Sequence, residues 1–175
     1  MAQVDYFLKI EGIKGESTDK KHKGEIEIES FSWGETNDVD RSSRSAGLGA
    51  GRVAMQDMHV TKKNDSASPL LMFACAKGDH LKSAILTCRK AGGEQQDYMK
   101  ITLTDAMISS YQIGGSSGGD IVPTDQFSMN FAKIEFSYAP QDATGKLGSP
   151  IKTGWDLTTN TKVSTVGCRL AGLHR

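Results

Sequence analysis

The feature that most constrains this chain is an alternation that keeps breaking. Seven segments read as β-strands, rich in β-branched and aromatic residues with apolar side chains at every second position: 5–12, 25–34, 52–62, 81–89, 99–113, 127–138 and 151–157. In four of them the apolar parity changes partway. Ile26 and Ile28 give way to Phe31 and Trp33, and Val53 and Met55 to Met58 and Val60. Ile101 and Leu103 are followed by Ala106 and Ile108, then by Tyr111 and Ile113. Phe127, Met129 and Phe131 are followed by Ile134, Phe136 and Tyr138. Side chains of a strand alternate between two faces, so each change of parity demands a bulge or a bend. Long strands bent repeatedly suit an antiparallel sheet that curls into a closed or nearly closed β-barrel, with bulges at the corners. The competing reading is a sheet partly buried on both faces, one inside the subunit and one against a neighbour.

Between the strands lie GESTDKKHKG, NDVDRSSRSAGLGAG, AGGEQQD, GGSSGGD and APQDATGKLGSP, all of them turn and loop chemistry. One stretch departs from the β pattern. SASPLLMFACAKGDH (66–80) predicts a helix over about 69–77, with Ser68 as N-cap, Pro69 in the first turn, Lys77 near the C-terminal dipole and Gly78 as the left-handed stop. Such a helix is too short to persist without tertiary contacts. Its seven consecutive apolar residues, 70–76, point all the way around the axis. Either the helix is plugged into its own barrel and covered by loops, or one face packs on the barrel and another on a second copy of the chain.

Composition narrows the partners. The chain has 175 residues, enough for one domain with a real core and cramped for two. Lys plus Arg and Asp plus Glu number 21 each, a net charge of zero that argues against nucleic acid or an anionic membrane as partner. Neutrality also removes one barrier to self-association. No apolar stretch approaches membrane-spanning length, and MAQVDYFLKIEG shows no signal peptide. The expectation is synthesis in the cytoplasm, with any secretion to the extracellular space or a target cell bypassing the general secretory route. Cys75 and Cys88 sit in apolar surroundings and read as buried, reduced thiols.

Catalytic and metal motifs are sought and rejected. GLGAG (47–51) precedes a strand, so no helix N-terminus is offered to a phosphate. Asp38 and Asp40 begin like a calcium loop, but Ser43 stands at the obligatory glycine and Gly49 at the bidentate glutamate. His22, His59, His80 and His174 are scattered. STDK (17–20) lies in a polar loop with nothing to activate its lysine. No catalytic, cofactor-binding or metal residue is expected.

Six stretches resemble the Hcp family, whose members form the inner tube of the type VI secretion system: GEIEIESFSWGE (24–35), HVTKKNDSASPLLMFACAKGDH (59–80), LTCRKAGG (86–93), ITLTDAMISSYQIGGSSGGD (101–120), QFSMNFAKIEFSYAPQ (126–141) and GWDL (154–157). The match runs in unbroken order through 4–163. It implies a β-barrel domain (1–163) with one flanking helix, assembling as a homo-hexameric ring. Such rings stack into a tube inside a contractile sheath, tipped by a spike protein of the valine-glycine-repeat type and carrying small effectors in the lumen. Under that resemblance Leu70, Leu71, Met72 and Phe73 become subunit-interface candidates. So do Asp38, Asp40, Arg41, Arg44 and Leu48, in the polar stretch 38–51 that would reach a neighbour as an arm. Ser30 and Ser32, opposite Phe31 and Trp33 in parity, are candidates to border the lumen and touch cargo, or else an ordinary solvent face. The tail 164–175, with Cys168, lies outside the family pattern as a native extension or a cloning remnant. The alternative function is a monomeric β-barrel binding or adhesion module; an enzyme with an unrecognised site has almost no chain left to occupy.

Overall fold

The computed structural model describes residues 4–37, 52–90, 95–118 and 122–163. Along these the order is β1 (Val4–Ile10), β2 (Ile26–Ile28), β3 (Ser30–Ser32), β4 (Glu35–Asn37), β5 (Val53–Met55), β6 (Met58–Lys63), α1 (Ser68–Lys77), β7 (His80–Lys90), β8 (Gln96–Gly114), β9 (Thr124–Tyr138), β10 (Ile151–Asp156) and β11 (Thr161–Lys162). The protein is mostly β, with antiparallel pairing and one short helix among the described residues.

The long strands β7, β8 and β9 form a meander, and β1 pairs the free edge of β7 from Val4↔Lys90 to Ile10↔Ala84. The other edge of β9 is shared: its first half pairs β6 (Met58↔Met129 to Lys63↔Thr124) and its second half β10 (Ile151↔Tyr138 to Asp156↔Lys133). β2 pairs β1, and β3 pairs β6. Glu29 alone separates β2 from β3, and its N–H donates to Thr61 O at 2.9 Å. β4 and β5 form a separate two-stranded hairpin.

Every parity slip in the sequence falls on a break in the structure. The slip between Ile28 and Phe31 is the interruption at Glu29, and the slip between Met55 and Met58 is the gap between β5 and β6. In β8 the first slip is Asp105, held at φ 51°, and the second is a register shift between Ile108 and Ser110. In β9 the slip at Ala132 and Lys133 is where the strand exchanges β6 for β10 as its partner. These breaks keep Leu103, Ala106, Ile108, Phe131 and Ile134 on the inside despite their mixed parity. The core they join includes Leu8, Ile26, Met58, Leu71, Leu86 and Met129.

One local expectation is corrected, and two short strands are added. The N-cap of α1 is Ala67, with no side-chain cap; Ser68 is already helical, and Asp65 Oδ1 accepts from Ala67 N–H at 2.9 Å instead. Ser68 gives up capping because its hydroxyl is drawn into a buried polar cluster. Strands β4 and β11 carry no alternation that predicts them; they exist because β5 and β10 lie alongside. The stop is as expected: Gly78 adopts φ 71°, and its N–H and that of Asp79 donate to Ala74 O.

Candidate functional site

The helix buries one row, Ser68, Leu71 and Ala74, against the sheet. It is not covered all round. Leu70, Met72 and Phe73 are 46, 52 and 59 % exposed, so three of the four helical interface candidates lie open to a partner. Leu71 does not: it is fully buried in its own core and presents no surface. Burying a side chain of this size is worth roughly 1.5–3 kcal/mol, so three left half open on one short helix are apolar surface that a partner could cover.

What holds the helix in place is polar. Lys62 and Asp125, opposite each other on β6 and β9, are both fully buried. Lys62 Nζ donates to Asp65 Oδ1 (2.6 Å), Ser68 Oγ (2.8 Å) and Lys63 O (3.0 Å), and lies 3.0 Å from Asp125 Oδ2. Ser68 Oγ donates to Asp125, as does Asn64 Nδ2 at 3.1 Å. Burial pushes the Asp125 carboxyl up, but the hydrogen bonds from Ser68, Asn64 and Lys62 outweigh it and hold the group below its ordinary value. Tyr111 is pushed up by burial and by the Asp125 charge. A desolvated pair in which the ammonium and both carboxylate oxygens are hydrogen-bonded is a positional clamp. The sequence carried a signal for it: Lys62 shares parity with Met58 and Val60, and Asp125 with Phe127 and Met129.

A second clamp pins the segment before β2 to the sheet. Arg89, 2 % exposed, directs both terminal nitrogens at Asp19 (2.9 and 2.5 Å) and sits 4.9 Å from the centre of the Phe7 ring. His22 stacks on Phe7, with Nδ1 2.9 Å from Glu25 and Nε2 3.2 Å from Asp97. The Arg89 guanidinium holds Asp19 well below the usual carboxylate range. The STDK stretch thus supplies structure, not chemistry. Beside Arg89, burial pushes the Cys88 thiol up to about 12; Cys75 is partly exposed.

A polar surface lies on the outer side of β3, β6, β9 and β8. Ser30 and Ser32 are both exposed there. Their rows continue as Ser30, Thr61, Gln126, Gln112 and as Ser32, His59, Ser128, Ser110. Asp57 accepts from Ser109 Oγ (2.5 Å) and Asn130 Nδ2 (2.8 Å), while Ser128 Oγ lies 2.8 Å from Ser109 Oγ and 2.5 Å from Ser110 Oγ. One part of this carpet of hydroxyls and amides is thus already bonded to itself, around the buried Ser128, while Ser30 and Ser32 lie open beside it.

A third feature was not foreseen. A cleft of about 670 Å³ opens between the β4–β5 hairpin and the β9–β10 pair, lined by Trp33, Met55, Ile134, Phe136 and Trp155, with Glu35 its one ionisable residue among the described lining. The indole Nε1 atoms of Trp33 and Trp155 are buried without an acceptor among the described residues. The remaining interface candidates, Asp38, Asp40, Arg41, Arg44 and Leu48, lie outside the described residues, as does the 164–175 tail with Cys168. Among the described residues no helix is long and apolar enough to cross a membrane, and no group of three His, Cys, Asp or Glu side chains could hold a metal ion.

Fold and surfaces together define a mostly antiparallel β protein with one flanking helix and broad open faces. A family model described as "Type VI secretion system effector, Hcp" matches residues 7–138. Protein hcp1 of Pseudomonas aeruginosa is 44 % identical over 159 residues, covering 90 % of this chain and 97 % of that protein. A solved structure of a type six secretion system protein superposes with a TM-score of 0.88 at 34 % identity, covering 92 % of this chain and all of that one. Hcp1 from Salmonella typhimurium gives 0.75 at 34 % identity, covering 93 % of this chain and all of that one. The chain belongs to the Hcp family of the type VI secretion system.

Proposed function

We propose that this chain is a subunit of the type VI secretion tube: six copies close into a ring, rings stack, and a contractile sheath expels the stack with its spike of the valine-glycine-repeat type. The observation that carries the reading is the set of exposed apolar side chains on α1, Leu70, Met72 and Phe73, on a folded chain of a secretion family. Apolar surface that one copy leaves in water is hidden when identical copies meet. Within each subunit, residues 1–163 form one domain, and its sheet closes into a barrel. β2 and β3 act as a single strand bent at Glu29, joining β1 on one side to β6 on the other.

The polar carpet borders the lumen. Ser30 and Ser32 contact small effectors there, and its hydroxyls and amides let cargo bind without sticking. The stretch 38–51, with Asp38, Asp40, Arg41, Arg44 and Leu48, serves as an arm to a neighbour. The protein is made in the cytoplasm and leaves through the tube it builds, with no catalytic role. The competing reading, a monomeric binding module, draws on the aromatic cleft. Light scattering coupled to gel filtration separates the two: a mass six times the 18.9 kDa subunit with ring images in negative stain is expected. A stable monomer at high concentration overturns the tube assignment.

A further inference from the structure

Accepting that reading of the chain as a self-assembling subunit, we propose that the aromatic cleft is the seat of the α1 helix of a second copy, with Phe73 as the inserted side chain. The two surfaces are complementary in kind. Leu70, Phe73 and Lys77 follow the i, i+3, i+7 spacing of one helix face, apolar at its start and ending in the helix's one cation, whose Nζ lies 2.9 Å from Asp79 Oδ1 at an exposed position open to a further acidic partner. The cleft is apolar along Trp33, Met55, Ile134, Phe136 and Trp155, with Glu35 as its one ionisable lining residue among those described. A protruding aromatic entering an aromatic pocket beside one opposed charge pair is the arrangement that concentrates binding energy and fixes orientation.

The two surfaces are separate in one copy: no α1 residue is among the described lining of the cleft. The helix is tied at Ser68 to Asp125, near the start of β9, whereas the cleft is lined by Ile134 and Phe136, toward its end. A patch and a pocket that are different surfaces of the same molecule make a heterologous, head-to-tail contact, the kind that generates rings and stacks.

The test is cysteine trapping in the intact chain. Phe73→Cys and Met55→Cys are placed together in a Cys75→Ser, Cys168→Ser background, and the assembled protein is oxidised mildly and run without reductant. The expected result is a ladder of covalent oligomers, with no ladder from either single variant. A ladder that stops at six puts the contact within the ring, one that passes six puts it between rings, and both support the proposal. An assembly of normal mass that yields no ladder overturns the proposal while leaving the tube reading intact. If the unmodified chain is a monomer, both fall. Thiol loss without a ladder means the two positions meet within one copy, which also overturns it. A charge-reversal cycle gives an independent readout: Glu35→Lys and Lys77→Glu are each expected to weaken assembly several-fold and together to restore it. Unchanged assembly in both single variants removes the charged half of the contact.

Discussion

The polar carpet and the exposed helix row are both open to solvent, yet they are finished to different degrees. On the carpet, Asp57, Ser109, Ser110, Ser128 and Asn130 satisfy one another within a single copy, and the exposed polar side chains beside them are satisfied by water. On the helix, Leu70, Met72 and Phe73 have no described partner to shield them. A finished surface tolerates change and passes material by; an unfinished one demands an occupant. Beneath the helix lies the opposite economy, a cluster in which every charge is spoken for. The chain thus spends its rigid, fully satisfied chemistry on holding the unsatisfied row in place.

The comparison breaks most visibly at Phe73. Phe73→Asp is expected to abolish assembly and leave a folded monomer, seen as a collapse of the light-scattering mass with an unchanged circular dichroism spectrum. The carpet is expected to behave otherwise: Ser32→Trp leaves the mass unchanged and reduces co-purified effector, and unchanged cargo would remove Ser32 from the lumen. Lys62→Met leaves Asp125 buried without its cation. A loss of about 3–5 kcal/mol is expected, read as a fall in Tm of roughly 10 °C in a chain of this size. A loss below about 1 kcal/mol would mean that the cluster is not the clamp described.

Acid acts on the same ties. The folded Asp19 carboxyl titrates below its ordinary value of 3.8, and Asp125 is held down in the same direction. Their contribution is therefore present above about pH 4 and is lost as pH falls through the folded values. Urea midpoints measured between pH 5 and pH 2.5 should drop steeply below pH 4, and Asp19→Asn should flatten part of that drop. The smallest effect is expected at cysteine: Cys88, pushed up to about 12 by burial, should resist alkylation at pH 8 in the native protein while Cys75 reacts.

Much of this architecture is written locally. A parity slip is a property of neighbouring residues, so Glu29, Asp105, Ser109 and the Ala132–Lys133 step could be located, to within a residue or two, from the pattern of apolar positions alone. The left-handed stop at Gly78 is equally local, because only glycine adopts that backbone cheaply. The Ser68 cap failed for the complementary reason. Its hydroxyl had a stronger offer from Asp125 and Lys62, and Asp125 is 57 residues away in sequence. β4 and β11 were invisible because short polar strands owe their existence to a paired neighbour, not to their own residues.

The sequence by itself determined the longer strands, their bends, the helix at 68–77 and the family resemblance. Only the tertiary structure decided which sides of that helix are covered, that Lys62 faces Asp125 and Arg89 faces Asp19, and that two tryptophans and a phenylalanine frame a cleft. The physical reason is range. Periodicity and turn chemistry act between residues a few positions apart, whereas desolvation and charge pairing are settled by what the fold brings alongside.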